Sequence, residues 1–218
     1  MRTYVSTLGF HEPRVTRPVL RHGLDDEDEV VLLRPAEESD DERGTRALDH
    51  VRNVLGEVAP GASIAVERVD PEFESAVRQC CGVLADADGD LVVNFGGGAR
   101  EVFLPFTVAT LLYTPRIDVA FQYTDIDQQV REVPFPNLTA QVPETVWPTF
   151  ELLTEAGGSA TIPELTERSE HSKSTVTRHV DLLEEQLLVR TKKEGKTRHV
   201  ERTISGQLLF PALDARRD

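Results

Sequence analysis

The chain has 218 residues, 39% of them hydrophobic, with 24 basic against 38 acidic side chains, a formal net charge of −14 and a pI near 4.9. That length fits one large domain or two small ones, and that apolar fraction supplies an ordinary core, which excludes a disordered or fibrous chain. No apolar run approaches the roughly 20 residues of a membrane-spanning helix, and the N-terminus lacks a basic-then-apolar leader. A cytosolic protein with no membrane partner is therefore expected. Cys80 and Cys81 are adjacent, about 3.8 Å apart at Cα, too close for an ordinary disulfide.

Charge is unevenly placed along the chain. Residues 1–139 carry 13 basic and 25 acidic side chains and no lysine. Residues 171–202 carry eight basic and five acidic ones, including all four lysines of the protein. The dense carboxylates and scarce lysines read as adaptation to high salt, the plainer alternative being an ordinary acidic protein. A net acidic chain is a poor candidate for DNA binding. Concentrating every lysine in one stretch points instead to an anionic partner there, rather than to a merely solvated basic face.

In chain order, residues 4–8 read as a strand, 13–22 as a helix and 30–33 as a continuous apolar strand of the kind buried on both faces. A charged segment from Asp40 leads into a helix whose Ala47, Val51, Val54, Leu55 and Val58 follow helical spacing. A strand over 64–66 precedes a helix marked by Phe73, Val77, Cys80, Cys81 and Leu84, with both cysteines as core residues. A strand over 91–95 runs into Gly96-Gly97-Gly98-Ala99-Arg100, then a helix over 101–113 that Pro105 should kink or delay. A strand over 119–123 and an edge strand near 129–133 close the series. Strand–helix alternation predicts an α/β, doubly wound, Rossmann-like domain over 1–133, with ligands at the C-terminal edge of a parallel sheet.

Pro134, Pro136 and Pro143 mark 134–143 as a linker. Residues 144–218 follow another pattern: helices near 144–155, 162–168 and 172–186, then strands 187–190 and 199–202 around a hairpin that turns at Glu194-Gly195. Three helices and a basic hairpin are the order of a winged helix-turn-helix. Ser172 is a good N-cap. Val176, Val180, Leu183 and Leu187 form the inward stripe, which leaves Lys173, Ser174, Thr177 and Arg178 outward, with Thr175 between the faces. These donors, together with Ser172, suit phosphates and base edges of double-stranded DNA. Lys192, Lys193, Lys196 and Arg198 suit a wing against neighbouring phosphates. A protein–protein module with a basic rim is the competing reading. The run 172–190 also resembles prokaryotic winged-helix repressors and activators.

The remaining candidates are two strand-to-helix loops. Thr7-Leu8-Gly9-Phe10-His11-Glu12 follows the first strand, and residues 94–100 follow the fourth. A triglycine exposes successive N–H groups to an anion, and Arg100 can fork onto phosphate, although two ordinary glycine turns would look alike. Neither loop is a Walker A or GxGxxG motif.

With Gly44-Thr45-Arg46-Ala47 opening the second helix, these loops resemble those of the archaeal CRISPR-associated transcriptional regulators, in which a CRISPR-associated Rossmann fold (CARF) domain precedes a winged helix. The resemblance spans the whole chain. It implies a homodimer binding a cyclic oligoadenylate, cyclic tetra-adenylate being the implied form, through Thr7, Leu8, Gly9, Phe10, His11, Gly96, Gly97, Gly98 and Arg100. It also implies DNA partners at CRISPR leader or cas promoters. No cofactor, metal site or catalytic residue is expected. Two other functions stay open: a winged-helix regulator sensing a different nucleotide or metabolite, and a ring nuclease in which His11 and Glu12 serve as acid–base groups.

Overall fold

The computed structural model describes residues 1–37, 41–124, 126–195 and 197–215. The chain divides into two compact units, Met1–Pro134 and Phe135–Asp218. The first contains β1 (Arg2–Thr7), α1 (Pro13–His22), β2 (Glu29–Pro35), α2 (Asp41–Val58), β3 (Ser63–Val69), α3 (Phe73–Asp86), β4 (Asp90–Phe95), α4 (Arg100–Tyr113), β5 (Ile117–Tyr123) and β6 (Val130–Glu132). The strands form one sheet in the order β3-β2-β1-β4-β5-β6. The first five are parallel, and β6 pairs antiparallel with β5. The expected Rossmann-like α/β fold is thus present, with a mixed sheet.

Strand residues alternate between two buried faces. Tyr4, Val30, Leu32 and Val92 pack with α1 and α2, whereas Thr3, Val31 and Leu33 border α3 on the opposite face. Because β1 lies between β2 and β4, the crossovers leaving β1 and β4 wind in opposite directions, and their loops part to leave a crevice at the strands' C-terminal ends. Pro105 neither delays nor breaks α4, which starts at Arg100 and keeps the proline buried inside. Its ring forfeits one main-chain hydrogen bond, and the apolar packing around α4 overrides that loss. Cys80 is buried, which pushes its thiol up to about 12 and leaves it inert packing.

The second unit contains α5 (Trp147–Glu155), β7 (Ser159–Thr161), α6 (Ile162–Arg168), α7 (Lys173–Glu185), β8 (Val189–Glu194), β9 (Thr197–Arg202) and α8 (Ile204–Asp214). Its antiparallel sheet has the order β7-β9-β8. The strand β7 and helix α8 add to the elements expected from sequence. Helix α8 folds back so that Phe210 stacks on Trp147, with centroids 5.1 Å apart and planes 8° from parallel.

The stretch 134–143 forms no helix or strand; within it the Asn137 N–H donates to Ser205 Oγ at 2.9 Å, its Nδ2 to the Gln186 carbonyl at 3.0 Å, and Ala140 is buried in the second core. Two local readings are corrected. Leu187 does not join the inward stripe of α7. It follows the C-cap Gln186 in the left-handed region at φ 59°, 42% exposed, and Leu188 is buried instead. The wing's strands run from Val189 to Glu194 and from Thr197 to Arg202, with Glu194 paired to Thr197, so they reach further into the hairpin than the expected 187–190 and 199–202.

Candidate functional site

The crevice between the β1 and β4 loops opens into a cleft of about 510 Å³, bounded by Gly9, Phe10 and His11 on one side and by Gly96, Gly98 and Ala99 on the other. Two paired strands hold the loops together. Ser6 lies opposite Asn94 in the register, and Asn94 Nδ2 donates to Ser6 Oγ at 2.7 Å and to the Arg14 carbonyl at 2.9 Å. One buried amide therefore fixes β4 to β1 and to the first turn of α1.

Glycine is required here by space and by torsion. A Cβ on Gly9 would stand 2.8 Å from Gly98 Cα, so main chain touches main chain across the crevice. A Cβ on Gly96 would stand 2.2 Å from the Thr7 carbonyl oxygen. Gly97 and Gly98 have φ of 84° and 117°, where side chains are strained. Ala99, the N-cap of α4, has no side chain able to cap, so the first N–H groups of that helix are not spent on one.

The expected ligand set divides. Gly9, Phe10, His11, Gly96 and Gly98 border the cleft. Thr7 and Leu8 are each 1% exposed and support the loop from beneath, the Leu8 N–H donating to the Leu33 carbonyl at 3.0 Å. Gly97 lies under Arg14, whose Nη1 is 2.8 Å from the place a Cβ would take. Arg100 is exposed at the start of α4, between two lining residues, Ala99 and Glu101, but outside the lining. Arg14, Glu37 and Glu101 belong to the cleft and were missed from sequence. For Arg14 the signal was present: an arginine in the first turn of the helix following the first loop. Arg43, also missed, places its Cζ 4.7 Å from the Phe10 ring centroid. Glu12 Oε1 lies 3.9 Å from His50 Nδ1. Among the described residues, no group of three or more His, Cys, Asp or Glu side chains is placed to hold a metal.

In the second unit, α6 begins with a capping box, Thr161 with Glu164, and α7 begins on Ser172, whose Oγ accepts from the Thr175 N–H. Ser172, Lys173, Ser174 and Arg178 are exposed, and Thr175 and Thr177 half-exposed, on one side of the helix start. Ser172 Oγ also bonds the Ser174 and Thr175 hydroxyls, and Thr177 Oγ1 donates to the Lys173 carbonyl. Behind this face, His179 is buried with Nδ1 2.8 Å from Thr149 Oγ1, and burial, with His171 and Arg178 nearby, holds its pKa below the ordinary 6.5.

In the wing, Lys192 and Lys193 are exposed. Lys192 Nζ sits 2.9 Å from Glu194, whose pKa is lowered by that lysine first and His199 second. Lys196 lies outside the described residues. Arg198, grouped with the DNA contacts by sequence, is committed elsewhere: it donates to Asp181 at 2.5 Å and to Glu184 at 2.6 Å. Glu184 also accepts from the Thr191 N–H at 2.7 Å. This clamp ties both wing strands to α7. Burial disfavours the Arg198 charge, but the two carboxylates outweigh it and raise its pKa further.

The geometry defines a Rossmann-like domain with a switch-point cleft and, after it, a winged helix-turn-helix. The chain belongs to the family of the Csa3 CRISPR-associated Rossmann-like domain, whose model matches residues 2–135, and residues 140–198 match the MarR family. No curated protein matches the chain. Among solved structures, Can2 from Sulfobacillus thermosulfidooxidans in complex with cyclic tetra-adenylate is 16% identical, over 96% of this chain and 63% of its own, with a TM-score of 0.46. Csm6 from Enterococcus italicus bound to cyclic hexa-2′-fluoro-hexa-dAMP is 10% identical, over 84% and 54%, with a TM-score of 0.49. HlyU from Vibrio cholerae is 26% identical, over 35% and 82%, with a TM-score of 0.29.

Proposed function

We propose that the protein is a CRISPR-associated transcriptional regulator whose winged helix binds double-stranded DNA at CRISPR leader or cas promoters and whose cleft senses a cyclic oligoadenylate, cyclic tetra-adenylate in particular. The observation that carries this reading is a cleft walled by glycine main chain at the switch point of a Csa3-family domain, in a chain that also carries a MarR-like winged helix. Main-chain N–H groups at Gly97 and Gly98, the open start of α4 and Arg14 suit phosphates, the Gly96 N–H being spent on the Asn94 carbonyl at 3.1 Å. Arg100 acts at the rim.

The active form is a homodimer, because a two-fold ligand suits an isologous pair of clefts. Leu104 and Leu112, 56% and 50% exposed on α4, supply apolar surface for a second copy. On DNA, Lys173, Ser174, Thr177 and Arg178 face base edges and phosphates, and Lys192, Lys193 and Lys196 position the wing. Arg198 holds the wing's geometry. The test is titration of the protein's own leader and cas promoters at high KCl, with and without cyclic oligoadenylates of different ring sizes. One ring size should shift DNA affinity by tenfold or so, which is about 1.4 kcal/mol of coupling. Promoter affinity indifferent to every ring size rejects the sensing role, and failure to bind DNA at all rejects the regulator.

A further inference from the structure

The lining of the cleft carries two chemically different sets of groups. One is the glycine main chain, suited to an anion. The other is apolar: Phe10, Pro35, Ala36 and Pro71. Phosphate gains nothing from that second set. Phe10 is 39% exposed, an aromatic ring left open to the cleft, with the Arg43 guanidinium over it at 4.7 Å from Cζ to centroid. A cation over one ring face holds the ring in place and leaves the opposite face for a flat partner. The carboxylates are the second sign. Glu37 and Glu101 border the same cleft, where they repel phosphate, yet a carboxylate is an acceptor suited to an exocyclic amine. Adenine carries that amine and uracil does not.

We propose that Phe10, backed by Arg43 of α2, is the stacking platform for an adenine base, so the cleft reads a nucleobase as well as phosphate. The proposal rests on the reading of this cleft as a cyclic oligonucleotide site. Stacking on an aromatic side chain is tolerant of base identity, and the carboxylates supply the discrimination.

The test uses the full chain, cyclic tetra-adenylate and cyclic tetra-uridylate, with calorimetry and fluorescence. Phe10→Leu should weaken cyclic tetra-adenylate by roughly 5- to 100-fold, the loss expected for one stacked base. Phe10→Trp should keep the affinity, and its added indole fluorescence, measured against the Trp147 background, should be quenched on binding. Cyclic tetra-uridylate should bind wild type at least about tenfold more weakly. Undiminished affinity in Phe10→Leu, or an unquenched indole in a binding-competent Phe10→Trp, overturns the stacking platform while the ligand reading stands. Equal binding of the two rings overturns adenine selection. Wild type that binds no cyclic oligoadenylate overturns the ligand reading and the platform with it.

Discussion

Replacing Gly96 with alanine brings a methyl carbon to 2.2 Å from the Thr7 carbonyl oxygen and to 3.1 Å from both Ser6 Oγ and Val15 Cγ2. Ordinary contact begins near 3.4 Å, so the end of β1 must recede by roughly an ångström, and α1 lies directly behind it. Overpacking of a core costs typically 1–3 kcal/mol. Here the obstacle is main chain on a central strand, which places Gly96→Ala at about 3 kcal/mol, or about 10 °C in Tm for a unit of this size. The same exchange at Gly56, in α2, meets nothing within 4 Å. It removes only glycine's unfolded-state entropy and should stabilise by about 0.5–1 kcal/mol. Circular-dichroism melts of the two variants should give opposite signs, and calorimetry should show Gly96→Ala losing the cyclic oligoadenylate proposed for the cleft. A Gly96→Ala melt within about 2 °C of wild type would refute the backbone contact on which the cleft is built.

On the DNA side, Lys173→Ala and Arg178→Ala should each cost about 1–3 kcal/mol of promoter binding in a fluorescence-anisotropy titration. Lys193→Ala should lower the salt slope by about one, while Arg198→Ala, which unlocks Asp181 and Glu184, should weaken binding with the slope kept. His179 is held neutral by burial, His171 and Arg178. Its contribution is therefore complete above the ordinary pKa of 6.5 and is lost as pH falls below that value towards the depressed folded one, because the unfolded chain takes up the proton first. Melts of His179→Gln should be flatter than wild type between about pH 5 and 7. Arg100→Ala should weaken cyclic oligoadenylate binding and erase its effect on DNA while ligand-free DNA affinity stays near wild type. Unchanged ligand affinity on calorimetry removes Arg100 from the rim.

Periodicity in the first unit was legible because β1, β2 and β4 are buried on both faces and the helices on one, so that apolar spacing alone separates them. Ser172 and the polar start of α7 were legible for the same local reason, a hydroxyl where free N–H groups need one. What stayed hidden depends on long-range partners. Thr203, Ile204 and Leu209 carry the cap and spacing of α8, but long-range partners make that segment part of the core: Phe210 packs on Trp147 and Phe150, and Ser205 accepts from the Asn137 N–H. The Ser159–Thr161 strand is three residues long and exists through pairing with β9. Arg198 reads as one more basic residue of a basic hairpin, and only the fold brings Asp181 and Glu184 to it. In the cleft, the glycines announce themselves through sequence, whereas Pro35, Glu37 and Pro71 arrive at the site through the shared edge of a parallel sheet.

The charge distribution and the two sites fit together through salt. Residues 1–139 hold no lysine and nearly twice as many acids as bases, so a polyanionic ring approaching this unit is repelled at low ionic strength. Near 1 M salt the Debye length is about 3 Å, and that repulsion is confined to direct contacts. In the proposed site, main-chain N–H groups at Gly97 and Gly98 and the Arg14 guanidinium would act at contact and outlast the screening that removes the opposing field. The winged helix faces the reverse problem, because its lysines rely on displacing counterions. Three phosphate contacts lose about 2.7 decades of affinity for each tenfold rise in salt. In the proposed dimer, base-edge contacts from Ser174, Thr177 and Arg178, doubled by a second copy on a second half-site, would restore it. In the regulator proposed above, dimer formation through the first unit would govern DNA affinity more strongly as salt rises, and a ligand bridging two clefts would gain its leverage over the promoter in that way.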